Sequence, residues 1–253
     1  MQHRQAMAAC RNSRAVLSGG GWCLSPPPLT GARECSSSPY ATGCNVRVPA
    51  RMGVPRQYFL PRMHFVPDGR VLALLEHMLA PDPTGVRPTL ADMGAGVGQF
   101  CASLRARDSR HECTSYDGAG NVEAITGGQV RWVNLTSPAS LPRADWVLSV
   151  EVGEHVPNHL EPMLIRNLHA HNCRGIILSW GAWYRGMGRG HADVNYHSAR
   201  YLIRIFERLG YRHLDNLTAA YMRMPTRPRH PWFNKNMVGV LERWRPLVGG
   251  DCA

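Results

Sequence analysis

From about residue 66 the chain alternates between two hydrophobic periods. The segment "PDGRVLALLEHML" places apolar residues three and four apart, the spacing of one helix face, and "PTLADMG" behind it is a short apolar run closed by glycine, which reads as a strand. "QFCASLRAR" reads as the next helix. Strands follow in "ECTSYD", in "VRWVNL" behind the turn "TGG", and in "ADWVLSVEV"; a helix over "HLEPMLIRNLHAHN" then leads into the strand "RGIILSW". "SARYLIRIFERLG" is helical and stops at Gly210, a residue that readily closes a helix in the left-handed conformation, and the tail "NMVGVLERW" alternates like a last strand. Strands that alternate with helices predict an α/β fold with a doubly wound, mainly parallel sheet. Such sheets bind ligands beyond the C-terminal ends of their strands.

At the first of those ends the chain reads "ADMGAGVGQF", with Gly94, Gly96 and Gly98 at every second position behind Asp92. Glycine there lets the backbone approach a ligand with no Cβ in the way. A dinucleotide fingerprint, G-x-G-x-x-G/A, needs a small residue at position 99, where this chain has Gln99. Asp117 ends the next strand in "TSYDG", a place from which a carboxylate can accept hydrogen bonds from both hydroxyls of a ribose. By itself an acid after a strand is more often a turn former.

The order D-x-G-x-G-x-G resembles motif I of class I S-adenosylmethionine-dependent methyltransferases. "ADWVLSVEVGEHVP" resembles the strand V-x-S-x-E-V-x-E-H-x-P of the methyltransferase type 11 and ubiquinone-methyltransferase-like branch. The resemblance spans roughly residues 66–243 and implies one Rossmann-like methyltransferase domain with a seven-stranded-type sheet. It implies S-adenosyl-L-methionine as cofactor, with Asp92 toward its methionine end, Gly94, Ala95, Gly96 and Gly98 under it, and Asp117 on its ribose. Asn134 and Leu135, in "WVNLT", would stand near the adenine, and Val150 beside the methyl donor. The family commonly has an acid where this chain has Asn134, whose amide oxygen can still accept.

Glu151, Glu154 and His155 form E-x-x-E-H at the end of the fourth strand. The spacing resembles that of metal-dependent small-RNA 2′-O-methyltransferases and ubiquinone O-methyltransferases, in which a divalent ion activates acceptor hydroxyls. His191 would be a fourth ligand. Many relatives carry E-V-x-E-H without metal, the first Glu placing cofactor or acceptor and the His packing under the next helix, and this reading is preferred. Glu151, Glu154, His155 and His191 are therefore the candidate catalytic residues. The connection "GAWYRGMGRGHADVNYHSARY" leaves the fifth strand on the crevice side and should bind the acceptor, with His191, Asn195 and His197 as polar candidates and Trp180, Trp183 and Tyr184 as walls. A chance loop histidine, or helix capping by Asn195 or Ser198, is the plainer explanation for any one of them.

Composition adds limits. With 253 residues, 44% of them hydrophobic, the chain can bury one full-sized core. No apolar run is long enough to span a bilayer, so a soluble protein is expected. The formal charge of +11 rests on arginine, Lys235 being the single lysine, and no tight basic cluster accompanies it. Basicity is therefore weak evidence about partners; a small-molecule acceptor is preferred, with RNA possible. A non-catalytic scaffold that binds the cofactor is the alternative from another class, and an oligomeric state is not legible. The eight cysteines include no C-x-x-C pair, which argues against structural zinc and makes a reducing compartment the default.

Residues 1–50 are rich in Ser, Gly, Pro, Cys and Arg, with Glu34 as the only acid, and lack a periodic apolar face. They are expected to be a low-complexity, largely disordered segment outside the fold, and residues 244–253 a short tail. An arginine- and serine-rich, acid-poor start suits a mitochondrial or plastid transit peptide as well as a plain tail, so the expected location is cytoplasmic or organellar. A chain starting at Val54 is expected to fold and to keep its ligand affinity, as read by circular dichroism and calorimetry. Loss of either would show that this segment belongs to the fold.

Overall fold

A computed structural model of the chain describes residues 66–119, 122–182, 195–227, 229, 233–250 and 252, with the backbone of two short paired strands, β1 (Val16–Leu17) and β2 (Cys23–Leu24). The remainder of residues 1–50 lies outside the described residues.

Helix α1 (Gly69–Met78) leads into β3 (Leu90–Met93), α2 (Gln99–Arg107), β4 (Cys113–Asp117), the short α3 (Val122–Thr126), β5 (Val130–Trp132) and β6 (Ala144–Ser149). Then come α4 (Glu161–Ala170), β7 (Asn172–Ser179), α5 (Ala199–Arg208), β8 (Tyr211–His213), α6 (Asp215–Arg223), the single turn α7 (Phe233–Asn236) and β9 (Met237–Arg243). The sheet has seven strands in the order β5-β4-β3-β6-β7-β9-β8. Pairs β5/β4, β4/β3, β3/β6 and β6/β7 are parallel, and β9 runs antiparallel between β7 and β8. The doubly wound, mainly parallel Rossmann-like fold expected from the sequence is therefore present. The C-terminal ends of β3 to β8 and the start of β9 share one edge.

The sequence explains why the middle of this sheet is fixed. β6 is buried at every position, as a central parallel strand covered on both faces must be. Two apolar clusters cover it. One joins Val147, Ile176 and Leu178 to Leu164 and Leu168 of α4 and to Leu202 and Phe206 of α5; the other joins Leu148 and Ile177 to Val71, Leu74 and Leu75 of α1 and to Phe100 and Leu104 of α2.

Polar contacts lock the ends. Asp68 caps α1 by accepting from the Arg70 amide at 2.9 Å, and the same carboxylate takes the Arg70 guanidinium through Nε and Nη2 at 3.0 and 2.8 Å. Arg70 Nη1 also donates to Asn234 Oδ1, which ties α1 to α7. Ser198 caps α5, and Gly210 follows that helix at φ 90° as the sequence predicts.

Four cysteines that show no pairing pattern in the sequence are joined as Cys101–Cys113, linking α2 to β4, and Cys173–Cys252, linking β7 to the C-terminal tail. This departs from the reduced thiols expected. The pairing is set by which elements the sheet makes neighbours, and sequence spacing carries no trace of it.

Gly175, in the middle of β7, is the tightest point of the central sheet. A Cβ there would lie 2.4 Å from the Leu241 carbonyl oxygen and 2.4 Å from the Trp146 ring. Gly175→Ala is expected to destabilise the chain by about 1–3 kcal/mol, the range for overpacking a core, read as a lowered melting temperature. An unchanged melting temperature would contradict the packing described.

Candidate functional site

β3 ends at the sheet edge and the chain passes through Gly94, Gly96 and Gly98, all at positive φ (90°, 57° and 79°). At Gly94 the cause is also steric, because a Cβ would sit 2.2 Å from Val152 Cγ2. At Gly96 the nearest atom to such a Cβ is Gln99 Oε1 at 3.7 Å, so only the left-handed backbone excludes a side chain there and the space beside it is open.

The Gly94 and Ala95 amides both donate to the Tyr116 carbonyl, at 2.8 and 2.9 Å. The Gly96 amide donates to Asp117 Oδ2 at 2.8 Å, and Asp117 Oδ1 accepts from the Ala119 amide at 2.8 Å. One buried carboxylate at the end of β4 thus holds the glycine turn in place. In the ionised form a carboxylate oxygen can accept more than one hydrogen bond.

Asp92 is 1% exposed in the last full register of β3, and its Oδ2 has no hydrogen-bond partner among the described residues. Burial, and then the charge of Asp117, pushes its carboxyl up to about 8. A carboxyl left unmatched beside an open glycine turn suits a cationic group of a ligand, whose charge would ionise it. The amino-acid end of S-adenosylmethionine carries such a group, and these residues fit it.

The E-x-x-E-H run splits. Glu151 has φ 55°, the one non-glycine residue at positive φ among those described, and its carboxylate accepts from Ser179 Oγ at 2.7 Å and from Asn236 Nδ2 at 2.6 Å. Its amide donates to the same Ser179 Oγ at 3.0 Å. A positive φ costs a glutamate backbone strain, and partners from β7 and α7 hold it there. Glu154 and His155 lie instead in a single 3₁₀ turn, Gly153–His155, and are buried. They turn inward because Gly153 packs against the Trp180 ring, where a Cβ would come within 2.1 Å, while Gly181 backs onto the Glu154 side chain. Val150 packs against the core. Among the described residues no group of three or more His, Cys, Asp or Glu is placed to hold a metal ion.

Other expected positions fare differently. Asn134 Oδ1 accepts from the amide and hydroxyl of Thr136, at 2.9 and 2.6 Å, and Nδ2 donates to Ser137, so this side chain shapes the turn after β5. Leu135 is a core residue whose carbonyl accepts from Asn167 Nδ2 at 2.8 Å. His191, Trp183 and Tyr184 lie outside the described residues.

Asn195 and His197 are described, and with Tyr201 they converge on Glu161, the first residue of α4. Asn195 Nδ2 and His197 Nε2 reach Glu161 Oε2 at 2.7 and 2.6 Å, and Tyr201 Oη reaches Oε1 at 2.8 Å. Sequence reasoning missed Ser179, Asn236 and Glu161. Ser179 could have been found, since it ends a strand in "ILSW"; Asn236 could not, because it reaches the crevice from the head of an antiparallel strand.

No protein-family model matches the chain, and no curated protein does. Among solved structures it is similar to the magnesium protoporphyrin IX methyltransferase of Synechocystis PCC 6803 with bound SAH, at 18% identity over 69% of this chain and 80% of that one, TM-score 0.46. It is also similar to the Burkholderia thailandensis 1,6-didemethyltoxoflavin-N1-methyltransferase with bound 1,6-didemethyltoxoflavin and S-adenosylhomocysteine, at 17% identity over 68% and 74% of the two chains, TM-score 0.42. A third is the Haemonchus contortus phosphoethanolamine N-methyltransferase 2, at 13% identity over 60% and 39%, TM-score 0.43.

The Asp92 carboxyl titrates near 8 in the folded chain against 3.8 for the ordinary group. Between those values the folded chain holds a proton that the unfolded chain has lost, so stability falls as pH rises toward 8. The ligand-free protein is expected to lose more stability between pH 5 and pH 8 than Asp92→Asn does, by about 3–4 kcal/mol, since each pH unit between the two values counts for about 1.4 kcal/mol. Thermal melts at the two pH values measure this, and equal slopes would contradict it.

Proposed function

We propose that residues 66–243 form a class I methyltransferase domain that uses S-adenosyl-L-methionine to methylate a small-molecule acceptor. The observation that carries this reading is the pairing at one sheet edge of an unmatched buried carboxylate, Asp92, with a glycine turn that Asp117 holds open. The resemblance of "SVEVGEH" to the type 11 branch is consistent with the same assignment.

In this reading Asp92 takes the amino group of the cofactor. The turn over Gly94, Ala95 and Gly96 lies against it with no side chain larger than a methyl, and Asp117 accepts from its ribose. Bound there, the cofactor supplies an activated methyl group on a sulfonium, so the chain has mainly to align the reactants and manage a proton. Glu151, fixed by Ser179 and Asn236, faces the same edge and orients the acceptor. Asn134 and Leu135 serve the site through the shape of the turn after β5. No described helix is long and apolar enough to cross a membrane. The metal-dependent reading on RNA gains nothing from the geometry, because Glu151 is separated in role from Glu154 and His155.

The test offers the purified protein and methyl-labelled cofactor to small-molecule, RNA and protein extracts. Label is expected in the small-molecule fraction. Asp117→Ala and Gly96→Val are expected to weaken cofactor binding at least tenfold by calorimetry, and Glu151→Gln to slow transfer about tenfold or more while binding persists. Label in RNA alone would replace the acceptor assignment, and undiminished binding in both cofactor-site variants would remove the cofactor assignment.

A further inference from the structure

The Glu161 cluster stands beyond the C-terminal ends of the strands, between the exit of β7 and the cap of α5. Its parts come from three places in the chain. Glu161 starts α4, Asn195 and His197 lead into α5, and Tyr201 lies in the first turn of α5. Asn195 is itself pinned: its amide donates to the Glu154 carbonyl at 3.0 Å, its carbonyl accepts from Trp180 Nε1 at 2.7 Å, and Asn158 Nδ2 reaches its Oδ1 at 3.3 Å. The His197 amide donates to the Gly181 carbonyl at 3.3 Å, and the ring stacks on Tyr201 with centroids 3.9 Å apart.

The imidazole is thus held by Glu161, by the Tyr201 ring and by the Trp180 ring, 5.8 Å away between centroids. Nε2 stands 2.6 Å from Glu161 Oε2, and in the neutral ring donation from Nε2 to that carboxylate leaves the lone pair on Nδ1. Among the described residues Nδ1 has no hydrogen-bond partner. The His197 side chain is 16% exposed and Tyr201 beside it is 41% exposed, so the ring is not sealed from solvent. A histidine oriented by a carboxylate through one nitrogen, with the other nitrogen unprotonated and accessible, is the arrangement of a general base.

We propose that His197 removes the proton from an acceptor hydroxyl, with Glu161 as its positioning residue, and hence that the acceptor is a hydroxyl-bearing small molecule. The proposal rests on the transferase reading above. The acceptor oxygen forms a bond to the methyl carbon, the carbon–sulfur bond breaks, and its electron pair stays on sulfur as a neutral thioether. The hydroxyl proton goes to His197 Nδ1, giving an imidazolium paired with Glu161, and is then lost to solvent at the exposed edge of the ring. Among the described residues the titratable groups that face His197 are Glu161 from α4 and Tyr201 from α5; burial, then the hydrogen bond and the charge of Glu161, pushes the Tyr201 phenol up, so it stays protonated.

The test measures label transfer at saturating cofactor, using as probe the small-molecule extract, for wild type, His197→Gln, His197→Ala and Glu161→Gln. His197→Gln is expected to transfer about a hundredfold more slowly, within the range for loss of a general base, with cofactor affinity within twofold of wild type. The fall in wild-type rate toward acid pH should disappear in the variant. Added imidazole should restore part of the rate to His197→Ala, a response that a purely structural histidine would not give. Glu161→Gln should lower the rate with little change in the cofactor constant, and the labelled product should be an O-methyl compound. His197→Asn repeats the comparison if the glutamine variant melts early. Transfer by the His197 variants within threefold of wild type, an unchanged pH profile, or label on an atom that carried no hydroxyl proton would overturn the base assignment while leaving the transferase reading standing. A wild-type chain that binds no cofactor would overturn both.

Discussion

The site depends on the two hydrogen bonds that Asp117 accepts from the Gly96 and Ala119 amides. A glycine-rich turn has the largest conformational entropy to lose, and without an anchor Gly96 would have no reason to stay at φ 57°. The carboxylate supplies the anchor from the end of the neighbouring strand, so the turn after β3 and the turn after β4 are held by one side chain. Parallel pairing of β3 with β4 sets Asp92 opposite Ser115 and carries both acids to the same edge. Their mutual repulsion, added to burial, is what leaves Asp92 reluctant to ionise until a cation arrives.

A second anchor works from the other side of the crevice. Arg70, neutralised by Asp68, holds Asn234, and two residues on Asn236 holds Glu151 together with Ser179 of β7. Elements from the start, middle and end of the described fold thus meet at one glutamate. The Glu161 cluster is a third such junction, and it fixes the chain where it returns to α5 behind residues 183–194. In each case a carboxylate on one element accepts from donors on others, which makes crevice geometry sensitive to the loss of a single acid.

Much of this was legible in the sequence because strand and helix periods and the glycine spacing are local. β6 and β7 read as apolar runs, α2 was bounded by Gly98, and α5 by Ser198 and Gly210. β8 and α6 were not seen. "YRH" is too short for alternation to register, and α6 fully buries only Thr218, with Leu217, Tyr221 and Met222 packed against the core while only partly buried. The strand read through "VRWVNL" stops at Trp132, since Asn134 turns the chain by bonding to Thr136. E-x-x-E-H looked like one cluster in sequence, yet packing of Gly153 against Trp180 separates its first acid from the rest. The two disulfides and the convergence on Glu161 rest on contacts between distant segments, and no local pattern announces them.

Proton release on cofactor binding tests the central claim most directly. Calorimetric titration with S-adenosylmethionine near pH 6.5 in buffers of different ionisation enthalpy counts the protons exchanged. If the cofactor ammonium meets a protonated Asp92 and ionises it, wild type should release close to one proton per cofactor bound, and Asp92→Asn should bind weakly with no such release. Tight binding with no buffer dependence, or equal release from the variant, would contradict the account.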